Sequence, residues 1–172
     1  MPYPEALVQP MRFELTRLGV EELLHAEDVD AAFEQAEDGT MLLVINSVCG
    51  CAAANARPAV ALARQYNVQP DRMVTVFAGQ DLEATSRARE MLVGIPPSSP
   101  FMALFKNGDP VYIIERRHIE GRSANAIATD LIHAFGKYCG TEATAEEGPE
   151  SPEVVRMSTM THDLPPTFRS IL

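Results

Sequence analysis

Two cysteines separated by one glycine, Cys49-Gly50-Cys51, follow an apolar run, Met41-Leu42-Leu43-Val44-Ile45, and precede an Ala-rich segment, Ala52-Ala53-Ala54-Asn55-Ala56-Arg57. This order predicts a strand, a turn carrying two thiols, and a helix. A thiol at a helix N-terminus meets unpaired backbone N–H groups and the positive end of the helix dipole. Both favour the thiolate, the reactive form of cysteine. Two thiols one residue apart can close on each other, so the spacing points to thiol–disulfide chemistry. A disulfide needs Cα atoms about 4.4–6.8 Å apart. Residues i and i+2 on an extended strand lie near or beyond that limit but face the same side, so a tight bend can join them. Gly50 is expected to permit that bend by adopting dihedrals that a Cβ resists. A ring this small is expected to be strained and readily reduced, which suits exchange better than permanent stapling.

Other residues could serve the same chemistry. Arg57, one turn into the helix after the thiols, could lower a thiol pKa or bind an anion. His118 lies in a charged cluster with Arg116, Arg117, Glu120 and Arg122, and reads either as a solvated face or as a second thiol-activating or anion-binding group. Asn46 and Ser47 are expected to shape the turn into the thiols. Cys139 ends a predicted helix and is either a plain apolar residue or an accessory thiol. A C-x-C pair can also bind metal, but tetrahedral zinc takes four ligands. The remaining candidates, Cys139 and the dispersed His25, His118, His133 and His162, show no ligand spacing. No metal site is expected.

The chain has 172 residues, enough for one domain with a real core. Its formal net charge of −10 argues against nucleic acid or an anionic membrane surface as the main partner. No apolar stretch approaches the roughly 20 residues of a membrane span. Met1-Pro2-Tyr3-Pro4-Glu5 lacks the basic and apolar regions of a signal peptide. A cytoplasmic location is expected. With only three cysteines, two of them in one turn, the pair reads as catalytic rather than as part of a secreted disulfide scaffold.

The elements that must position the thiols can be read from periodicity. Residues 1–10, with three prolines, read as an extended lead-in. Helices are predicted over Met11–Leu18 and Glu27–Glu37, with a further turn between them over Val20–Leu24. Met41–Ile45 reads as a buried central strand. The helix after the thiols runs to Tyr66, with Pro58 kinking it or marking its effective start. A strand over Met73–Ala78 and a helix over Asp81–Leu92 follow. Phe101–Phe105 and Val111–Ile114 flank Asn107-Gly108, a strong hairpin signal. A last helix capped by Ser123 carries Ile127, Leu131 and Phe135 as its apolar stripe. From Gly140 onward the chain has six acids against two bases, −4 of the total −10, so residues 141–172 read as an acidic, Pro/Thr/Glu-rich, largely disordered tail. The order implies an α/β fold, a mixed sheet of about four strands with helices on both faces.

That order resembles the thioredoxin fold, in which a cis-proline faces the active-site sulfurs. Ser99-Pro100 occupies the corresponding place, and the resemblance implies that Ser99 and Pro100 contact substrate. More closely, the chain resembles the bacilliredoxin family, which carries CGC in place of the usual CXXC. The matching stretches are Asn46-Ser47-Val48-Cys49-Gly50-Cys51-Ala52-Ala53, Ala56-Arg57-Pro58, Val76-Phe77-Ala78-Gly79-Gln80-Asp81, Ser98-Ser99-Pro100 and Arg117-His118-Ile119-Glu120-Gly121-Arg122, with Cys139 ending the last helix. The similarity covers roughly residues 3–140; the tail is longer than family members usually carry. The resemblance implies a domain over 1–140 that removes bacillithiol from S-bacillithiolated proteins. Cys49 would be the attacking thiol and Cys51 the resolving thiol. Bacillithiol would be the co-substrate and no cofactor would be bound. S-thiolated proteins and a low-molecular-weight thiol would be the partners. A general disulfide isomerase or oxidase, and a metal carrier, are the alternatives.

Overall fold

A computed structural model of the chain describes residues 1–140; the tail expected over 141–172 lies outside the described residues. In chain order the elements are α1 (Glu5–Thr16), β1 (Glu21–Glu22), α2 (Ala26–Gln35), β2 (Thr40–Asn46), a π-helical turn (Ala52–Ala56), α3 (Arg57–Ala63), β3 (Arg72–Phe77), α4 (Leu82–Glu90), β4 (Phe101–Lys106), β5 (Asp109–Ile114), α5 (Arg116–Ile119) and α6 (Ala124–Cys139). The strands form one sheet in the order β1-β3-β2-β4-β5. β1, β3 and β2 run parallel, and β4 and β5 pair antiparallel beyond β2.

β2 is apolar without alternation because both of its faces are covered. Successive side chains point to opposite faces of a strand. Leu42 and Val44 therefore join one core with Val60 and Ala63 of α3 and the stripe Ile127, Leu131 and Phe135 of α6. Met41, Leu43 and Ile45 join the other with Val29 and Ala32 of α2 and Ala84 and Ala88 of α4. The thiols follow β2 directly, so they rise from the most deeply buried strand of the sheet.

The hairpin turn takes positive φ at Asn107 (51°) and Gly108 (82°), as the Asn-Gly pair predicts. Ser123 caps α6 by accepting a hydrogen bond from Ala126 N. Two expectations near the N-terminus are corrected. The lead-in is helical from Glu5, with Pro10 inside α1. An interior proline costs about 3 kcal/mol or more, but tertiary contacts offset it. Val8 and Leu15 are fully buried. Arg12 reaches from α1 to Glu5, to Glu22 of β1 and to both carboxylate oxygens of Asp81. Asp81 thus binds Arg12 rather than capping α4 with its side chain. The second correction is that part of Val20–Leu24 forms strand β1, pairing with β3, which makes the sheet five-stranded. Two residues of strand are too few to show periodicity.

Candidate functional site

The turn that carries the thiols is built on a buried guanidinium. Arg57 is only 3% exposed. Its Nη1 donates to Asn46 Oδ1 and to the Ser47 carbonyl, each at 3.1 Å, and its Nε pairs with Glu14 of α1 at 2.8 Å. Asn46 Oδ1 also accepts from Ser47 N at 2.8 Å, and Asn46 Nδ2 donates to the Met11 carbonyl. The Asn46 carbonyl accepts from Ala78 N, beyond the end of β3. Both main-chain groups of Ser47 are therefore fixed. The Cys49 carbonyl accepts from the N–H groups of Ala52 and Ala53, which opens the helical segment at the first thiol. Pro58 has no N–H to give to the carbonyl four residues back. The backbone passes through the wide π turn, with Arg57 N donating to the Ala52 carbonyl, before α3 proceeds regularly. Pro58 thus marks the start of the regular helix.

The sulfurs of Cys49 and Cys51 are 2.6 Å apart, and Ser47 Oγ donates to Cys49 Sγ at 3.3 Å. Both cysteines are half-buried, and neither is in a disulfide. Burial pushes the Cys49 thiol up. Hydrogen bonds from the Cys51 thiol, the Ser47 hydroxyl and the N–H groups of Ala52 and Cys51 outweigh it and hold Cys49 below the ordinary thiol value. Cys51 moves the other way. Burial, its hydrogen bond to Cys49 and repulsion by charge on Cys49 all raise it, with Arg116 opposing. The pair therefore favours a thiolate on Cys49 and a proton on Cys51.

The other expected site residues fall in different places. Gly50 is exposed, but its φ is not in the left-handed region, and a Cβ there would meet nothing within 4 Å. The bend is an ordinary helical turn, so glycine supplies no unusual backbone there, and a side chain at this position would face open space. Arg57 lies beneath the turn and bonds its backbone, with no contact to either sulfur. His118 is exposed, and its Nδ1 accepts from Glu115 N at the start of α5. The charge of Arg116 favours the Cys51 thiolate, and its own pKa is raised by Cys51 first, then by Glu120 and by Cys49. Arg116 belongs to the same charged cluster as His118.

The Ser99–Pro100 peptide is cis, and Pro100 is buried. Phe101 pairs with Ile45, so Pro100 sits beside the end of β2 that leads to the thiols. Ser98 Oγ accepts from Arg116 N at 3.4 Å, tying the segment before Pro100 to α5. Cys139 lies elsewhere. Its thiol meets Thr40 at the start of β2, whereas Cys49 follows the end of that strand. At about 3.3 Å per residue, a strand of this length separates them by on the order of 20 Å. Burial raises the Cys139 pKa, and the Thr40 hydrogen bond opposes only part of that rise. Among the described residues, no three His, Cys, Asp or Glu side chains gather as metal ligands. No described helix is long and apolar enough to cross a membrane.

Comparison with known proteins agrees with this arrangement. The model of the disulphide isomerase family matches residues 3–139. A bacilliredoxin of Salinibacter ruber is 63% identical over 172 residues, covering 99% of each chain. A bacilliredoxin of Staphylococcus aureus is 51% identical over 137 residues, 80% of this chain and 93% of the relative. Among solved structures, the thioredoxin of Fasciola hepatica superposes with a TM-score of 0.50 at 18% identity, covering 69% of this chain and 99% of that one, which shows the thioredoxin-like fold. With two adjacent cysteine sulfurs at the end of a central strand of that fold and this degree of identity, the chain belongs to the bacilliredoxin family and is a thiol–disulfide oxidoreductase.

Proposed function

We propose that this protein removes bacillithiol from S-bacillithiolated cytoplasmic proteins, with Cys49 as nucleophile and Cys51 as resolving thiol. The observation that supports this most directly is the placing of two cysteine sulfurs side by side in one turn at the end of β2, where hydrogen bonds favour the thiolate on Cys49. The Cys49 thiolate attacks the bacillithiol sulfur of the mixed disulfide. A new S–S bond forms to Cys49, the old one breaks, and the protein substrate leaves as a thiolate that takes a proton from water. The negative charge that raised Cys51 is then gone. Cys51 loses its proton, attacks Cys49 Sγ and expels bacillithiol, closing the Cys49–Cys51 disulfide. A second bacillithiol could instead release the first. Bacillithiol is thus a co-substrate, and the residues need no bound cofactor or metal for either step.

Ser99 and Pro100, beside the end of β2, would contact the incoming chain, and Gly50 would leave its approach open. Arg116, whose charge favours the Cys51 thiolate, would activate the thiols, and His118 in the same cluster would help bind an anionic thiol. Arg57 acts through the turn. The S-thiolated protein and the low-molecular-weight thiol are the partners. A second reading, general disulfide isomerisation, draws on the description of the matching family model.

Intact mass after incubation with bacillithiol disulfide tests the proposal on wild type and Cys51→Ala. The expected result is loss of two hydrogens in wild type and a lasting bacillithiol adduct on Cys49 in the variant. No adduct on either protein sinks the bacillithiol reading and leaves isomerisation; metal retained after purification would favour a carrier.

A further inference from the structure

The turn before the thiols holds a hydroxyl that its backbone role does not use. Ser47 is 6% exposed. Its N–H is committed to Asn46 Oδ1 and its carbonyl to Arg57 Nη1, so the shape of the turn depends on its main chain. The side chain is free of that task, and its Oγ stands 3.3 Å from Cys49 Sγ. A hydroxyl this close to a sulfur and this far from water is a built donor for a negative charge.

We propose that Ser47 is a catalytic residue whose hydroxyl donates a hydrogen bond to the Cys49 thiolate and keeps it ionised for attack. This rests on Cys49 being the nucleophile but not on the identity of the thiol removed. The lowered pKa of Cys49, to which the Ser47 bond contributes, agrees with the role. Ser47 transfers no proton. As the Cys49–S⁻ electron pair forms the new S–S bond, the charge passes to the departing thiolate and the O–H···S bond weakens. When Cys49 is again released as a thiolate, the same donor receives it. The Cys51 thiol also donates to Cys49, but Cys51 must give up its own proton to resolve the adduct. Ser47 keeps its proton throughout, so it is the side-chain donor that, with the N–H groups of Ala52 and Cys51, serves Cys49 in every cycle.

The test is the pH dependence of iodoacetamide alkylation, followed at each cysteine by peptide mass mapping, in wild type, Ser47→Ala and Ser47→Thr. A hydrogen bond to a charged group is worth enough to change the thiolate fraction about tenfold. The expected result is that Ser47→Ala moves the Cys49 profile to higher pH and slows its alkylation near neutral pH about tenfold. Cys139 should be unchanged, and Ser47→Thr, which keeps the hydroxyl, should restore Cys49. A Cys49 profile in Ser47→Ala that matches wild type overturns the proposal. So does a loss of protection at Cys139 equal to the change at Cys49, because that would be a general loosening of the fold. Neither outcome depends on bacillithiol, so failure here is distinct from failure of the bacillithiol reading.

Discussion

Arg57 donates to the carbonyl of Ser47 at 3.1 Å from a position almost wholly shielded from water. One side chain from the start of α3 thereby fixes the turn that precedes the thiols. Removing it leaves Asn46 Oδ1 and the Ser47 carbonyl each without one donor and Glu14 without its partner. Water can take the place of the guanidinium at Glu14, which is 41% exposed, but leaving a buried acceptor short of a donor costs about 1–3 kcal/mol. Arg57→Ala should lower the melting temperature accordingly. Arg57→Lys should recover only part of the loss, because an ammonium lacks the planar fork that serves Glu14 and the turn together. A melting temperature unchanged in Arg57→Ala would show that the turn stands without it.

The two thiols should titrate as a pair. Cys49 is held below the ordinary thiol value and Cys51 above it. Alkylation of reduced protein near neutral pH should therefore label Cys49 first. Cys51→Ala removes a hydrogen-bond donor, so the Cys49 profile should move to higher pH. Cys49→Ser removes a repelling charge, so the Cys51 profile should move to lower pH. A Cys51 profile that does not respond to Cys49→Ser would remove the coupling on which the order of steps depends. Cys49→Ser should also abolish exchange activity.

Arg116 should matter most at the resolving step. Its charge favours the Cys51 thiolate, against burial and the hydrogen bond to Cys49. Its side chain is largely exposed and shared with Glu120 at 3.5 Å, so solvent moderates the effect. Arg116→Gln should slow closure of the Cys49–Cys51 disulfide by about twofold to tenfold, within the range of an exposed charge. Stopped-flow mass analysis should then show the Cys49 adduct persisting longer. The difference from wild type should shrink as salt is added. Equal closure rates at low salt would exclude Arg116 as an activator of Cys51.

Cys139 should remain outside the redox cycle. Burial raises its pKa, so at neutral pH it should be alkylated more slowly than Cys49. The same shift has a stability consequence. Above the ordinary thiol pKa the unfolded chain loses this proton while the folded chain keeps it. Folding stability from this group therefore falls as pH rises through that range. Cys139→Ala should flatten part of the alkaline decline in melting temperature and leave the exchange rate unchanged. A lost exchange rate would place Cys139 in the mechanism, despite its position at the other end of β2.

Local pattern carried much of this protein. An unbroken apolar run announced β2 because both faces of that strand are covered, and a serine before a helical stripe announced α6. Asn107-Gly108 announced the hairpin because few other residue pairs accept positive φ twice. The thiols were legible because their type and spacing are themselves chemical. Long-range contacts decided the rest. Pro10 reads locally as a helix breaker, yet α1 continues through it because Arg12 finds acids on β1 and before α4. β1 has two residues, too few for any period to register. Arg57, Arg116 and His118 are all bases near a thiol in a sequence reading. Only tertiary structure puts the first under the turn, brings the charge of the second to bear on Cys51 and seats the third against the N–H of Glu115. The same physics separates Cys49 from Cys51 in ionisation: the residue types set the chemistry, and the folded arrangement of donors, burial and charge sets which sulfur is ready to act.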